Sequence, residues 1–225
     1  MQIENNLLAR IELNPSTAPI GCVILLHGLG ADGNDFVSIV PELHLPKDIP
    51  LRFVFPSAPL MPITINNGYV MPAWYDIVSM SIEQRADEKG LNKSCEQLSQ
   101  LIEHEIQQGI PAEKIILAGF SQGAVVALAT GVRFTKPLAG ILALSGYLPS
   151  AETILRQADD ANRNTPIFMA HGLQDAVVPY KLGQMAFDAL EKNGFAAGWH
   201  SYAMGHSVCA SEIHDIGEWL KEIFT

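Results

Sequence analysis

Lys114-Ile115-Ile116-Leu117-Ala118-Gly119-Phe120-Ser121-Gln122-Gly123-Ala124-Val125-Val126-Ala127-Leu128 is the stretch on which the reading of this chain turns. It opens as a continuous apolar run of strand length. It closes as an Ala- and Val-rich segment that reads as a buried helix to Arg133. Between them Gly119-Phe120-Ser121-Gln122-Gly123 fits G-x-S-x-G. Strand, serine, helix is the setting of a nucleophile elbow, a turn so tight that the serine is held in strained backbone angles. Glycines two residues either side leave room where strand and helix nearly collide. The serine hydroxyl is lifted clear of the sheet, and the helix N-terminus favours negative charge beside it.

Working outward, apolar runs alternate with amphipathic segments. Gly21–Leu26, Leu51–Phe55, Ala139–Leu144, Pro166–Ala170 and Trp199–Ala203 read as further strands, without the polar alternation of a one-sided sheet. Helices are expected from Asp35 to about Leu43 behind Asn34, from Asn92 or Ser94 onward, over Lys181–Lys192, and from Ser211 to the end. Such alternation makes a mostly parallel sheet with helices on both faces. One domain over 1–225 is the economical reading. Residues 57–90 stand out as a long, apolar, Pro- and Gly-broken stretch, read as a substrate-binding loop or lid.

A serine needs a base. In the chain order Ser, acid, His that this elbow implies, Asp175 follows the fifth major strand and His206 the sixth, both on the edge where open α/β sheets place their sites. Asp159 and Asp160 precede the fifth strand; His200 is mid-strand, His214 lies in the last helix and His171 reads as architectural. Gly28-Leu29-Gly30-Ala31-Asp32-Gly33 matches the dinucleotide fingerprint G-x-G-x-x-G, but no acid follows the next strand, which runs into Pro56-Ser57-Ala58-Pro59. The loop is therefore read as an oxyanion loop, with the backbone N–H groups of Leu29 and Gln122 as the two donors. Neither His-Glu-x-x-His nor Cys-x-x-Cys is present, so no metal or cofactor is expected.

Composition bounds the rest. The chain has 225 residues, 48% hydrophobic, with 14 basic against 24 acidic side chains and a net charge of −10. Few, scattered cations argue against nucleic acid. No membrane span, signal peptide or stable membrane anchor is expected; Gln2 excludes N-myristoylation. Cys22, Cys95 and Cys209 read as reduced thiols of a cytoplasmic protein.

Seven ordered blocks carry a resemblance: His27–Gly30, Phe55–Pro59, Ile63–Gly68, Trp74–Asp76, Gly119–Gly123, His171-Gly172 with Asp175 and Pro179, and Gly205–Ser207. From about residue 20 to 224 the chain resembles the carboxylesterase and acyl-protein thioesterase family of α/β hydrolases. The resemblance implies Ser121, Asp175 and His206 as a catalytic triad, Leu29 and Gln122 as oxyanion donors, no cofactor, and a substrate loop around 60–76. The expected activity is carboxylic ester hydrolysis through an acyl-enzyme, with thioesters a second substrate class. Depalmitoylation and lysophospholipid or amide hydrolysis are alternatives. Substrate contacts are expected from Leu60, Ile65, Met71, Trp74 and Val177, with Trp74 as one wall of an acyl pocket. Partners are a small or lipid-like acyl ester, or an acylated protein; an exposed apolar loop would favour a homodimer. With Gln2 and no nearby cysteine for a palmitate, the features lean toward the bacterial-type carboxylesterases.

Overall fold

A computed structural model describes residues 7–79 and 87–225 of the chain. The readings that fall on 1–6, including Gln2, and on the 80–86 portion of the long loop lie outside the described residues.

Strands β1 (Arg10–Leu13), β2 (Gly21–Leu26), β3 (Leu51–Pro56), β6 (Ile115–Phe120), β7 (Gly140–Leu144), β8 (Ile167–Gly172) and β9 (Ala197–Tyr202) form one seven-stranded sheet. Its order is β1-β3-β2-β6-β7-β8-β9. Only the β1–β3 pairing is antiparallel. β4 (Leu60–Ile63) and β5 (Tyr69–Pro72) make a separate antiparallel hairpin. Helices α1 (Glu88–Gln107), α2 (Gln122–Gly131), α3 (Ala151–Arg156), α4 (Tyr180–Lys192) and α5 (Ala210–Phe224) complete the framework.

Alternation along the central strands divides the core. In β6, Ile115 and Leu117 join the apolar cluster under α1, α2, α3 and α4, while Ile116 and Ala118 join the opposite cluster under α5. β2, β7 and β8 are buried along their whole length, which is why they read as unbroken apolar runs. α2 is likewise buried on every side, wedged between the sheet and α1. At roughly 1.5–3 kcal/mol for each large apolar side chain removed from water, these layers hold the sheet edge that carries the site.

Several expectations change. The helix expected from Asp35 to Leu43 is a pair of 3-10 turns, Val37–Ile39 and Pro41–Leu43, because Pro41 supplies no N–H to a continuing helix. α1 starts ahead of Asn92, capped by Asp87, whose carboxylate accepts from the Lys89 and Gly90 N–H groups. α5 starts one residue ahead of Ser211, with Cys209 at its N-cap. β9 is an edge strand with mixed exposure rather than a central one. The long loop is in part the β4–β5 hairpin, turned through Asn67 and Gly68, both with positive φ.

Candidate active site

Ser121 sits between β6 and α2 with φ 54° and ψ −116°, a conformation that costs a non-glycine residue about 1–3 kcal/mol. The turn closes because its flanking glycines lack side chains. A Cβ at Gly119 would lie 2.3 Å from the Gly123 carbonyl carbon, and one at Gly123 2.3 Å from the Leu26 oxygen. Ser121 N–H donates to Leu144 O on β7 (2.8 Å), tying the elbow to the sheet.

Asp175 and His206 come from the loops after β8 and β9. These loops are stitched together: Leu173 N–H donates to Tyr202 O (2.9 Å) and Gln174 N–H to Met204 O (3.0 Å). Asp175 Oδ1 accepts from the Val177 and Val178 N–H groups at 2.9 and 2.8 Å. Its Oδ2 faces His206 Nδ1 at 2.7 Å, and His206 Nε2 faces Ser121 Oγ at 2.9 Å. The Asp175 side chain is buried, whereas the imidazole keeps a narrow opening to solvent. Phe120 packs its ring 4.8 Å from the imidazole and fixes its tilt. The three side chains that the sequence singled out thus form one hydrogen-bonded line.

His171, read as architectural, is fully buried; its Nε2 meets Val178 O at 2.8 Å and lies 3.4 Å from Asp175 Oδ2. Burial lowers its pKa, so it is neutral and donates from Nε2 to the carbonyl. It therefore braces the Asp175 loop from behind, a role the sequence did not suggest. Asp159 caps a distant 3-10 turn, and His200 stacks on Phe168.

A cavity of about 360 Å³ opens over Ser121. Leu29, Ile65, Tyr75, Ile77, Tyr147 and Val177 line it together with the serine and imidazole. The Leu29 backbone N–H, and that of Gln122 in the first turn of α2, take no partner among the described residues.

Three of the expected substrate contacts do not line this cavity. Leu60 is 70% exposed and is not among the residues that line the cavity. Met71 packs with Ile63, Ala73 and Ile77 inside the hairpin cluster instead of lining the pocket. Trp74 is 1% exposed and lies behind the cavity wall, its Nε1–H given to His27 O at 2.8 Å. Apolar content alone could not separate residues that build the loop's own small core from those facing a ligand. Tyr147, which follows β7, was missed because nothing in its local pattern distinguishes it.

Among the described residues no cluster of three or more His, Cys, Asp or Glu could hold a metal ion, and no helix is long and apolar enough to cross a membrane.

The phospholipase/carboxylesterase family profile matches residues 9–224. Acyl-protein thioesterase 1 of Yarrowia lipolytica is 37% identical over 217 residues, covering 94% of this chain and 96% of its own. Acyl-protein thioesterase 1 of Debaryomyces hansenii is 40% identical over 210 residues, 89% and 90% of the two chains. The crystal structure of Arabidopsis thaliana SOBER1 superposes with a TM-score of 0.86 at 30% identity, over 91% of this chain and 99% of that one. Both of these relatives are fungal proteins named acyl-protein thioesterase 1. With its α/β-hydrolase sheet, the chain belongs to the phospholipase/carboxylesterase family and is an ester-bond hydrolase of the serine type.

Proposed function

We propose that the chain cleaves esters and thioesters of medium to long acyl chains, with Ser121 as nucleophile, His206 as general base and acid, and Asp175 as the group that holds the imidazole. One observation carries the assignment: the 2.9 Å and 2.7 Å contacts that link Ser121, His206 and Asp175 at the floor of an apolar cavity.

Ser121 Oγ attacks the acyl carbonyl carbon as its proton passes to His206 Nε2. The oxyanion is received by the Leu29 and Gln122 N–H groups, which oppose charge that exists only in the tetrahedral state. Collapse expels the alcohol or thiol, which takes the proton from His206. Water then gives a proton to His206, attacks the acyl-enzyme, and releases the carboxylic acid and free Ser121.

The cavity sets the acyl size. A cavity of about 360 Å³ with a largely apolar lining is far roomier than an acetyl group needs, which supports medium and longer acyl chains over acetate. The names of the fungal relatives favour a second reading, in which the acyl donor is an S-acylated protein.

The chain is read as one domain because both apolar clusters share one sheet. A cytoplasmic setting is supported by three unpaired thiols. A homodimer is supported by the exposed hairpin side chains Leu60, Tyr69 and Val70.

The test is kcat/KM for p-nitrophenyl esters from acetate to palmitate, with a matched long-chain thioester, against Ser121→Ala. A maximum at medium or longer length with a competitive thioester is expected. A maximum at acetate, or activity that survives in Ser121→Ala, overturns the assignment.

A further inference from the structure

We infer that Trp74 and the side-chain amide of Gln122 are positioning residues for the oxyanion hole, locking its two backbone donors into one rigid frame. The inference rests on the proposed roles of the Leu29 and Gln122 N–H groups.

Gln122 faces two ways. Its backbone N–H opens α2 toward the cavity, while its side chain is buried and runs to the loop after β5. There Oε1 accepts from Trp74 N–H (2.8 Å) and Nε2 donates to Tyr75 O (2.6 Å). A third hold on the same loop comes from α1, where Ser94 Oγ donates to Trp74 O.

Trp74 passes the constraint on. Its indole N–H donates to His27 O at 2.8 Å, at the root of the loop that carries Leu29. His27 is 1% exposed, and burial lowers its pKa, so the ring is neutral with one donor and one acceptor. Nδ1–H donates to Gly28 O at 2.7 Å, and Nε2 accepts from Ala58 N–H at 3.0 Å. Both ring nitrogens are therefore committed.

The Gly28 carbonyl and the Leu29 N–H belong to one planar trans peptide and point in opposite directions. Holding that carbonyl from behind fixes the direction of the N–H in front. Gly30 N–H, given to Pro72 O at 2.9 Å, secures the far side of the same turn. The residue that bears one donor thus grips the residue that grips the loop bearing the other. A shift of about 1 Å in such a donor costs on the order of 10²-fold in rate, and loss of one donor about 10²–10³-fold.

Two variants that remove the polar contacts and keep an apolar side chain in place test this. Trp74→Phe keeps a buried ring and removes the indole N–H; Gln122→Met keeps an unbranched chain and removes both amide contacts. Rates are taken per Ser121 titrated with a fluorophosphonate, so a smaller folded fraction does not enter. For each variant kcat is expected to fall roughly 10–100-fold with KM within about twofold. The Ki of an oxyanion-forming trifluoromethyl ketone should rise in step with the loss in kcat/KM. A merely structural role would lower the number of titratable sites and leave kcat per site at the parent value; that result overturns the inference. Ser121→Ala run alongside separates the two levels. If it retains activity, the site assignment itself fails; if it is inactive while Trp74→Phe turns over normally, only the positioning role fails.

Discussion

Glu212 gives a stability prediction that can be worked from its surroundings. It lies in the first turn of α5, fully buried, and neither carboxylate oxygen has a hydrogen-bond partner among the described residues. Burial pushes its pKa from 4.5 to about 7; the Cys209 N–H nearby draws it down only in part, and the Asp215 carboxylate one turn on adds to the rise. A raised carboxyl pKa means that the folded state holds a proton that the unfolded state releases. Stability is then fully present below 4.5 and falls as pH climbs toward about 7. At 1.36 kcal/mol per pKa unit, the loss is about 3 kcal/mol.

Glu212→Gln removes the titration but buries amide donors at a fixed cost. The informative quantity is therefore the change in the variant-minus-parent difference between about pH 5 and about pH 8. For a chain of this size, 1 kcal/mol shifts Tm by about 2–4 °C, so the variant should gain roughly 6–12 °C on the parent across that interval. Thermal unfolding by circular dichroism at several pH values measures it. Parallel curves for the two proteins would refute the reasoning, whatever their absolute offset.

Asp175→Asn keeps the shape of the loop but favours the wrong imidazole tautomer; kcat should drop on the order of 10⁴-fold with little change in Tm. Gly123→Ala would drive a methyl to 2.3 Å from Leu26 O and 2.7 Å from His27 O, so Tm should fall by the equivalent of about 1–3 kcal/mol or more. Cys22 and Cys95 are buried and burial pushes both thiols up, so native protein near neutral pH should alkylate with iodoacetamide only at Cys209. Denatured protein should take up label at all three, as read by intact mass.

The parallel core was legible because β2, β6, β7 and β8 are covered on both faces and carry uninterrupted apolar runs. Ser121, Asp175 and His206 were legible because sheet topology sends the ends of β6, β8 and β9 to one edge, so chain order already groups them. Less could be read where local preference competes with tertiary context. β1 is a four-residue edge strand whose partner lies far along the chain. Asn34 does not cap a helix: its side chain turns back to Asp32, Phe36 stands at the N-cap of the first 3-10 turn, and Pro41 ends the helix that the periodicity suggested. Trp74 was the most instructive miss: a large aromatic in an apolar loop looks like a pocket wall. Its position is decided by three hydrogen bonds to residues more than ~15 positions away, and no local pattern records those.

The most direct test of the central claim is peptide mapping after reaction with a fluorophosphonate. One adduct per chain, on Ser121, is the predicted result, with labelling lost in Ser121→Ala and strongly slowed in His206→Ala. An unlabelled protein, or an adduct on another residue while esterase activity is retained, would contradict the account.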